Sequence, residues 1–168
     1  MPGSILKKSG ASTLLVAALV VLAGPTAASA APDFQFVLSA GVACDFEIQV
    51  SGSDDQRVIH TFTDAAGNTV RTITAGKGSD LTFANLDNGE VVTLAAKGAV
   101  TREVFNPDGS STVVATGHTV LIMTPTDVPA GPSTTLYTGR VTYTSTATDD
   151  FTILKSSGKT RDICAELG

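Results

Sequence analysis

The stretch of sequence that decides the fold runs from Cys44 to Ser51 and reads CDFEIQVS. Its apolar and polar residues alternate strictly, and the apolar members are Cys44, Phe46, Ile48 and Val50. A period of two with one apolar side is typical of a half-buried strand in an antiparallel sheet. The stretch therefore predicts a β-strand that lays one face on a hydrophobic core.

Similar segments recur on both sides of this stretch, and turn residues separate them. The clearest turns are Asn106-Pro107-Asp108-Gly109 and Asp87-Asn88-Gly89, because proline presets φ while Asn and Gly tolerate the left-handed region. We expect roughly nine short strands joined mostly by tight turns. The segments with a strand pattern, which outnumber the strands expected, are 34–38, 44–51, 56–63, 69–74, 80–85, 90–96, 99–105, 110–116, 119–123, 134–146 and 151–155, with a short last segment at 162–164.

The tight connections favour a fold in which strands that are neighbours in sequence are also neighbours in space. A meander of this length must curl up to bury its inward faces. We therefore predict an all-β fold, an antiparallel meander that forms a β-sandwich or a flattened barrel. The sequence leaves the choice between sandwich and barrel open. Gly139, inside a long strand segment, predicts a bulge or a bend.

Residues 1–30 have the composition of a secretory signal peptide. Lys7 and Lys8 form a short positive region, and an apolar run follows over Leu14–Gly24. This run is too short to cross a hydrocarbon core of ~30 Å, which takes about 20 apolar residues. A membrane anchor would need a longer apolar run or a stop-transfer segment, and no second stretch of that length occurs later in the sequence.

The expected cleavage site follows directly. Ala28 and Ala30 stand at the two positions that signal peptidase inspects, so the mature chain is expected to begin at Ala31. Residues 1–30 are therefore predicted to be a signal peptide, and residues 31–168 a single extracytoplasmic domain. A lipoprotein is disfavoured because no cysteine directly follows the apolar run. We expect a secreted, soluble product.

The two cysteines, Cys44 and Cys164, lie near opposite ends of the mature chain. An even pair in an exported protein is most simply a disulfide. A bond that closes so long a loop stabilises by up to about 4–5 kcal/mol in the chain-entropy model. A pair of free thiols or a redox couple is the alternative, but redox motifs usually place their cysteines close together, as in C-x-x-C. We expect the bond to tie an early strand to the last one.

The charge and the aromatic content disfavour several classes of partner. The chain has 11 basic and 16 acidic residues and a net charge of −5, and loss of the leader removes two lysines. An acidic domain with scattered basic residues is a poor binder of nucleic acid and of anionic lipid. The sequence has no Trp and only two Tyr, which disfavours the stacking by which modules grip sugars.

Three features together resemble a group of small exported β-proteins from actinobacteria whose function is unknown. The first is Cys44 just before an alternating strand, and the second is the turn Asn106-Pro107-Asp108-Gly109-Ser110 followed by VVATG at 113–117. The third is the closing motif DICAEL at 162–167. The resemblance implies bacterial export, a β-fold and one disulfide. It carries over no catalytic residue and no ligand.

Histidines and carboxylates offer few candidates for chemistry. No G-x-S-x-G elbow accompanies His60 and His118, and their spacing gives no pair of metal ligands. Asp45 and Glu47 share one side of the first alternating strand and suit glycoside hydrolysis only if a cleft buries them; a solvated strand face is the simpler interpretation. We therefore expect no catalytic residue, no metal and no cofactor.

Two acidic pairs and a threonine series complete the candidates. Asp54-Asp55 and Asp149-Asp150 are predicted turn residues, and neither fits the ligand spacing of a calcium loop. A threonine-rich face runs opposite Tyr137, Val141 and Tyr143. This face is either a flat recognition surface or the usual polar side of an exposed strand, and its members are Thr138, Arg140, Thr142 and Thr144.

The leading hypothesis is a non-enzymatic extracellular domain that binds a partner or acts in the cell envelope. The first alternative is a lipocalin-like carrier of an apolar small molecule, which requires an interior cavity of about 300 Å³ or more. The second is a small secreted hydrolase, which requires Asp45, Glu47 or His60 to converge in one cleft with another polar group. The sequence does not identify the partner.

Overall fold

A computed structural model describes residues 31–168, and the predicted signal peptide with Ala28 and Ala30 lies outside the described residues. The described chain forms ten strands and one short helix. These are β1 (Phe34–Leu38), β2 (Ile48–Ser53), β3 (Gln56–Thr63), β4 (Thr69–Lys77), β5 (Asp80–Asn85), β6 (Val91–Leu94), β7 (Ala99–Phe105), β8 (Ser111–Met123), β9 (Ser133–Ser145), β10 (Phe151–Asp162) and α1 (Ile163–Leu167).

The strands form two antiparallel sheets. The smaller has the order β1-β2-β5-β6 and the larger the order β10-β9-β8-β7-β4-β3. The strands β7 to β10 form a sequential meander, whereas the β3–β4 hairpin leaves the smaller sheet after β2 and joins the edge of the larger one beside β7. The prediction of an all-β antiparallel fold is confirmed, and of the two forms that it left open the structure has the sandwich, not a closed barrel.

Several predicted boundaries were wrong. The strand predicted over Cys44–Ser51 begins only at Ile48, and residues 44–47 lie outside any strand. The break expected at Gly117 does not occur, because β8 runs through it. The strand expected to end at Lys155 continues to Asp162 along the whole length of β9. The last segment is a helical turn and not a strand: the Asp162 carboxylate caps α1 by accepting a 3.0 Å hydrogen bond from the backbone N–H of Ala165.

A row of glycines crosses the three long strands of the larger sheet. Gly117 of β8 lies opposite Gly139 of β9, which lies opposite Gly158 of β10. Their φ angles are 105°, 144° and 106°, a region that side chains rarely permit. A Cβ atom at any of them would collide with the backbone of the neighbouring strand. The bulge or bend predicted at Gly139 is not seen as a break in register; Gly139 is instead the middle member of three aligned glycines.

The main core lies between the smaller sheet and one part of the larger sheet, which is formed by the residues after Gly117 in β8 and before Gly139 in β9. Ile48 and Phe83 enter it from the smaller sheet and Leu136 from β9, and all three are buried. Ile163 and Leu167 of α1 close one end of this core. The helix is therefore stabilised by the packing of these side chains, because a helix of five residues has little stability of its own.

The disulfide between Cys44 and Cys164 lies in this core, with the two Cα atoms 5.5 Å apart. Cys44 precedes β2 and Cys164 is in α1, so the bond joins a turn to a helix and not two strands. Beside it, the buried Thr134 hydroxyl donates a 3.1 Å hydrogen bond to the carbonyl oxygen of Ala43. The bond thus fixes both ends of the domain to the same core.

A second core cluster lies on the larger sheet. Its buried members are Ala115, Leu121, Met123 and Val141, and Tyr137, Tyr143, Phe151 and Ile153 pack around them. The proline-rich loop between β8 and β9 is anchored by Asp127, which is 4% exposed. Its carboxylate accepts hydrogen bonds from the backbone N–H groups of Thr124 and Phe151. Val128 of the same loop pairs with β10.

Removal of the disulfide is expected to lower the stability of the domain strongly. The double substitution Cys44→Ser/Cys164→Ser should decrease the free energy of unfolding by up to about 4–5 kcal/mol, because the bond closes a loop that otherwise gains entropy in the unfolded chain. Urea unfolding of the oxidised protein and of the double variant measures the difference. Equal midpoints with equal slopes would contradict the structural role of the bond.

The glycine row predicts a position-specific loss of stability. Gly139→Ala should destabilise the protein by more than the roughly 1–2 kcal/mol that a left-handed backbone costs alanine, because the new Cβ also meets backbone atoms of β10. Gly67→Ala is the matched control, since Gly67 also has positive φ but has no atom within 4 Å of the added Cβ. Thermal unfolding of both variants gives the comparison, and a smaller loss at Gly139 would refute the role of the row.

Candidate binding surface

One face of the larger sheet is uncovered. The uncovered part contains β3, β4 and β7 and the halves of β8, β9 and β10 that pair on this side of the glycine row. Directly opposed residues in neighbouring antiparallel strands project to the same face. The pairing therefore aligns three cross-strand rows of six residues, which we call the open face. The rows are Phe62, Arg71, Val104, Thr112, Thr144 and Thr152; His60, Ile73, Arg102, Val114, Thr142 and Lys155; and Val58, Ala75, Val100, Thr116, Arg140 and Ser157.

The open face exposes large apolar side chains. Val58 is 58% exposed, Val100 is 49% exposed and Phe62 is 38% exposed. On the opposite side of the sheet, Val113 of β8 and Val141 of β9 are 4% and 1% exposed, whereas Ile59 of the edge strand β3 is exposed as well. An exposed cluster of apolar residues on a defined sheet face is typical of an interaction site, whereas single exposed apolar residues are ordinary.

The charges of the open face have one sign. Its cations are Arg71, Arg102, Arg140 and Lys155, and none of its eighteen positions is Asp or Glu. The ion pairs found within residues 31–168 are Arg57–Asp55, Lys77–Asp80 and Arg161–Glu166. The four cations of the open face are therefore not paired with a carboxylate of the described chain. In an acidic protein this leaves a local basic surface.

Arg71 is held in a defined position on this surface. Its guanidinium carbon lies 3.9 Å from the centre of the Phe62 ring, which is the geometry of a cation–π contact. Its Nε atom is buried and has no hydrogen-bond partner in the described chain. The side chain is thus oriented by the ring while its charge is not neutralised.

A groove lies at the other end of the open face, between β9 and β10. It measures about 350 Å³ and is lined by Arg140, Thr142, Lys155 and Ser157. Two cations and two hydroxyl groups converge there, and all four residues belong to the open face. Such a set of donors suits a carboxylate or another anionic group of a partner.

A separate cavity of about 260 Å³ lies between the two sheets. We call it the inter-sheet cavity. Its apolar walls come from Phe34, Leu81, Leu94, Val120 and Leu136. Its polar side chains are those of Arg57, Ser79, Lys97 and His118 and of three threonines, Thr74, Thr101 and Thr119. The Ser79 hydroxyl is buried without a hydrogen-bond partner in the described chain. Its volume is below the roughly 300 Å³ at which drug-sized ligand sites begin.

The structure does not bring together the three residues that the hydrolase hypothesis requires. Asp45 and Glu47 are exposed ahead of β2 in the smaller sheet, whereas His60 is exposed on β3 of the larger sheet. None of the three lines the groove or the inter-sheet cavity. His118 lines the inter-sheet cavity instead. No group of three or more His, Cys, Asp or Glu residues within 31–168 is arranged to hold a metal ion.

The two acidic pairs lie in turns, as predicted. Asp54 and Asp149 have positive φ, and neither is in a strand. Asp55 pairs with Arg57, whose hydrogen bonds hold the pKa of that carboxyl below its ordinary value. Asp150 accepts a 2.8 Å hydrogen bond from the Thr148 hydroxyl. These carboxylates stabilise turns.

The threonine face predicted on β9 is one part of the open face. Arg140, Thr142 and Thr144 belong to the open face, while Tyr137 and Tyr143 pack in the second core cluster as expected. Sequence reasoning missed Arg71 and Arg102 and the apolar side chains around them. The alternation of Val100, Arg102 and Val104 with less exposed residues was the available signal, but it did not show which strands would adjoin β7.

Comparison with known proteins adds no assignment to these sites. Neither a protein family, nor a curated protein, nor a solved structure matches this chain. Among the residues that the structure describes, no helix is long and apolar enough to span a membrane.

Acid should weaken the wall of the inter-sheet cavity. The Asp80 carboxylate accepts hydrogen bonds from the backbone N–H of Ala96 at 2.7 Å and from the Lys77 amine at 3.2 Å. These bonds lower the pKa of Asp80, the Ala96 bond most. Because the folded-state pKa lies below that of the unfolded chain, the stabilisation is present above about pH 4 and is lost as the pH falls through the lower value.

The variant Asp80→Asn tests this dependence. It should lose stability at neutral pH and show a smaller further loss between about pH 4 and pH 2 than the wild type, because the group that titrates is absent. Urea unfolding at a series of pH values measures both. Asp87→Asn is the control, since the Asp87 side chain accepts no hydrogen bond within the described chain. An unchanged pH profile in Asp80→Asn would contradict the assignment.

Proposed function

We propose that the protein is a non-enzymatic binding domain that acts outside the cytoplasm and docks a partner protein on its open face. The observation that carries this proposal is the open face itself, which combines exposed apolar side chains with four unpaired cations and no carboxylate. The partner required is a protein surface that is apolar and acidic.

The composition of the open face favours a protein partner over a polyanionic chain. Interface cores are rich in aromatic residues and arginine and poor in lysine and glutamate. The face has three arginines and one lysine, and the lysine is on the edge strand β10. A polyanion would engage these cations but would leave Val58, Val100 and Phe62 in water. Eighteen positions also approach the 20 to 30 residues per side that are typical of a stable interface.

The location rests on two supports. The sequence of residues 1–30 has the pattern of a signal peptide with cleavage before Ala31. The disulfide between Cys44 and Cys164 is of the kind that persists in oxidising compartments. The resemblance to small exported actinobacterial proteins agrees with this location, and the partner is then an extracellular or cell-envelope protein.

The two alternative functions receive less support. A lipocalin-like carrier of a drug-sized ligand needs a larger cavity than the 260 Å³ that lies between the sheets. A hydrolase built on Asp45, Glu47 and His60 needs these residues in one cleft, whereas Asp45 and Glu47 precede β2, His60 lies on β3, and none of them lines the groove or the inter-sheet cavity. Docking on the open face uses features that neither alternative explains.

Quantitative affinity capture tests the proposal. The exported protein, purified from culture medium and immobilised, is exposed to an envelope extract of the same cells, and bound proteins are quantified by mass spectrometry. The wild type should retain an acidic protein that Arg102→Glu and Val100→Glu each retain at least tenfold less, because one variant reverses a charge and the other places a charge on apolar contact area. Binding should also weaken with added salt.

Lys159→Glu is the matched control, because Lys159 is exposed but lies outside the open face. It changes the net charge by the same amount as Arg102→Glu and should leave capture unchanged. Circular dichroism and thermal unfolding verify that all variants are folded. Capture that is equal for Arg102→Glu, Val100→Glu and Lys159→Glu would overturn the proposal.

A further inference from the structure

The inter-sheet cavity has features that docking on the open face does not use. It lies between the smaller sheet and the larger one, and none of its lining residues belongs to the open face. Phe34, Leu81 and Leu94 line it from the smaller sheet, and Val120 and Leu136 from the larger. An apolar cavity with a few polar groups is the usual form of a small-molecule site.

One wall of the cavity is the connection between β6 and β7, in which three of the four residues are small. The connection reads Ala95-Ala96-Lys97-Gly98, and all four residues line the cavity together with Ala99, the first residue of β7. The Asp80 carboxylate holds the segment in place through the Ala96 N–H. On the opposite wall, the Phe34 ring occupies the space that a side chain at Gly52 would fill. Both walls of the cavity are therefore held in place, one by the Asp80 hydrogen bond and the other by the packing of Phe34 against Gly52.

The polar groups of the cavity point to an anionic ligand. Arg57, Lys97 and His118 line it, and no Asp or Glu is among its lining residues although the chain is acidic overall. Arg57 is already paired with Asp55, so its charge is engaged. Lys97 has no ion-pair partner within the described residues. An anion at the cavity mouth would therefore interact chiefly with Lys97.

Ser79 supplies an independent indication. Its hydroxyl is buried and has no hydrogen-bond partner in the described chain, which costs free energy in the unliganded protein. Native proteins leave few such groups, and each calls for a partner such as water or a ligand. A ligand oxygen beside Ser79 would accept the hydrogen bond that the protein leaves unmade.

We propose that the inter-sheet cavity binds a small amphipathic carboxylate, with its apolar body against Phe34, Leu81 and Leu136 and its carboxylate toward Ser79 and Lys97. The volume sets the size of the ligand. A cavity of about 150 Å³ holds one benzene molecule, so 260 Å³ corresponds to about ten non-hydrogen atoms. Octanoate and phenylacetate have this size, and both serve as probes.

Titration of the exported, disulfide-bonded protein with octanoate tests the proposal by calorimetry and by NMR of the backbone amides. Binding should shift the amide signals of residues 95–99, and 1-octanol should bind at least tenfold more weakly because it lacks the charge. Equal binding of octanoate and octanol would overturn the anionic assignment. No binding of octanoate or of phenylacetate would overturn the site.

Three variants locate the contacts. Lys97→Gln should weaken octanoate binding at least fivefold, whereas Lys159→Gln, the matched control, should not change it. Ser79→Ala should weaken binding severalfold without lowering the thermal stability of the unliganded protein, because it removes an unsatisfied hydroxyl. Ala96→Leu fills the cavity and should abolish binding. Octanoate affinities equal to the wild type in all three would refute the site.

The open-face variant Arg102→Glu separates this inference from the proposed docking function. It should bind octanoate with the wild-type affinity, because Arg102 does not line the inter-sheet cavity. A loss of octanoate binding in Arg102→Glu would contradict the location of the site. Loss of partner capture together with unchanged octanoate binding is the result expected if both assignments hold.

Discussion

The two sheets differ in size, and this inequality is the constraint on which the rest of the molecule depends. The strands of the smaller sheet have four to six residues, whereas β8 and β9 have 13 each. The smaller sheet therefore covers only the part of the larger sheet beyond the glycine row. Every apolar face must be covered or remain in water. In the remainder of the larger sheet, the second core cluster and its loop cover one side of β8, β9 and β10. The other side is open, and β3 at the edge is exposed on both faces.

The disulfide, the helix and the inter-sheet cavity follow from the same inequality. The core between the sheets is small, and the two sheets leave one of its ends uncovered. Ile163 and Leu167 of α1 cover this end, and the disulfide between Cys44 and Cys164 fixes the helix there. At the edge of this core, where small residues connect β6 to β7, the sheets no longer fill the space between them and the inter-sheet cavity remains. The open face and the inter-sheet cavity thus both lie where the smaller sheet stops covering the larger one.

Particular residues explain which predictions from sequence held and which did not. The alternation through Ile48 and Val50 identified β2, because strand periodicity is a local property of the chain. Gly117 was interpreted as a break, since glycine weakens an isolated strand. In the sheet it faces Gly139, and the aligned glycines let all the long strands continue. The closing segment was interpreted as a strand because its five-residue helix is too short to show a period of its own.

The sequence by itself determined the strand class, most of the turns, and a pair of cysteines suited to a disulfide, because alternation, turn chemistry and cysteine number are encoded by residues near one another in the chain. Only the tertiary structure decided which strands adjoin. Arg71, Arg102 and Arg140 are far apart in sequence and carry no joint signal there. They share one face because β4 pairs with β7 and β8 with β9 in a single register, and a shift of one residue in any pair would turn a side chain to the other face.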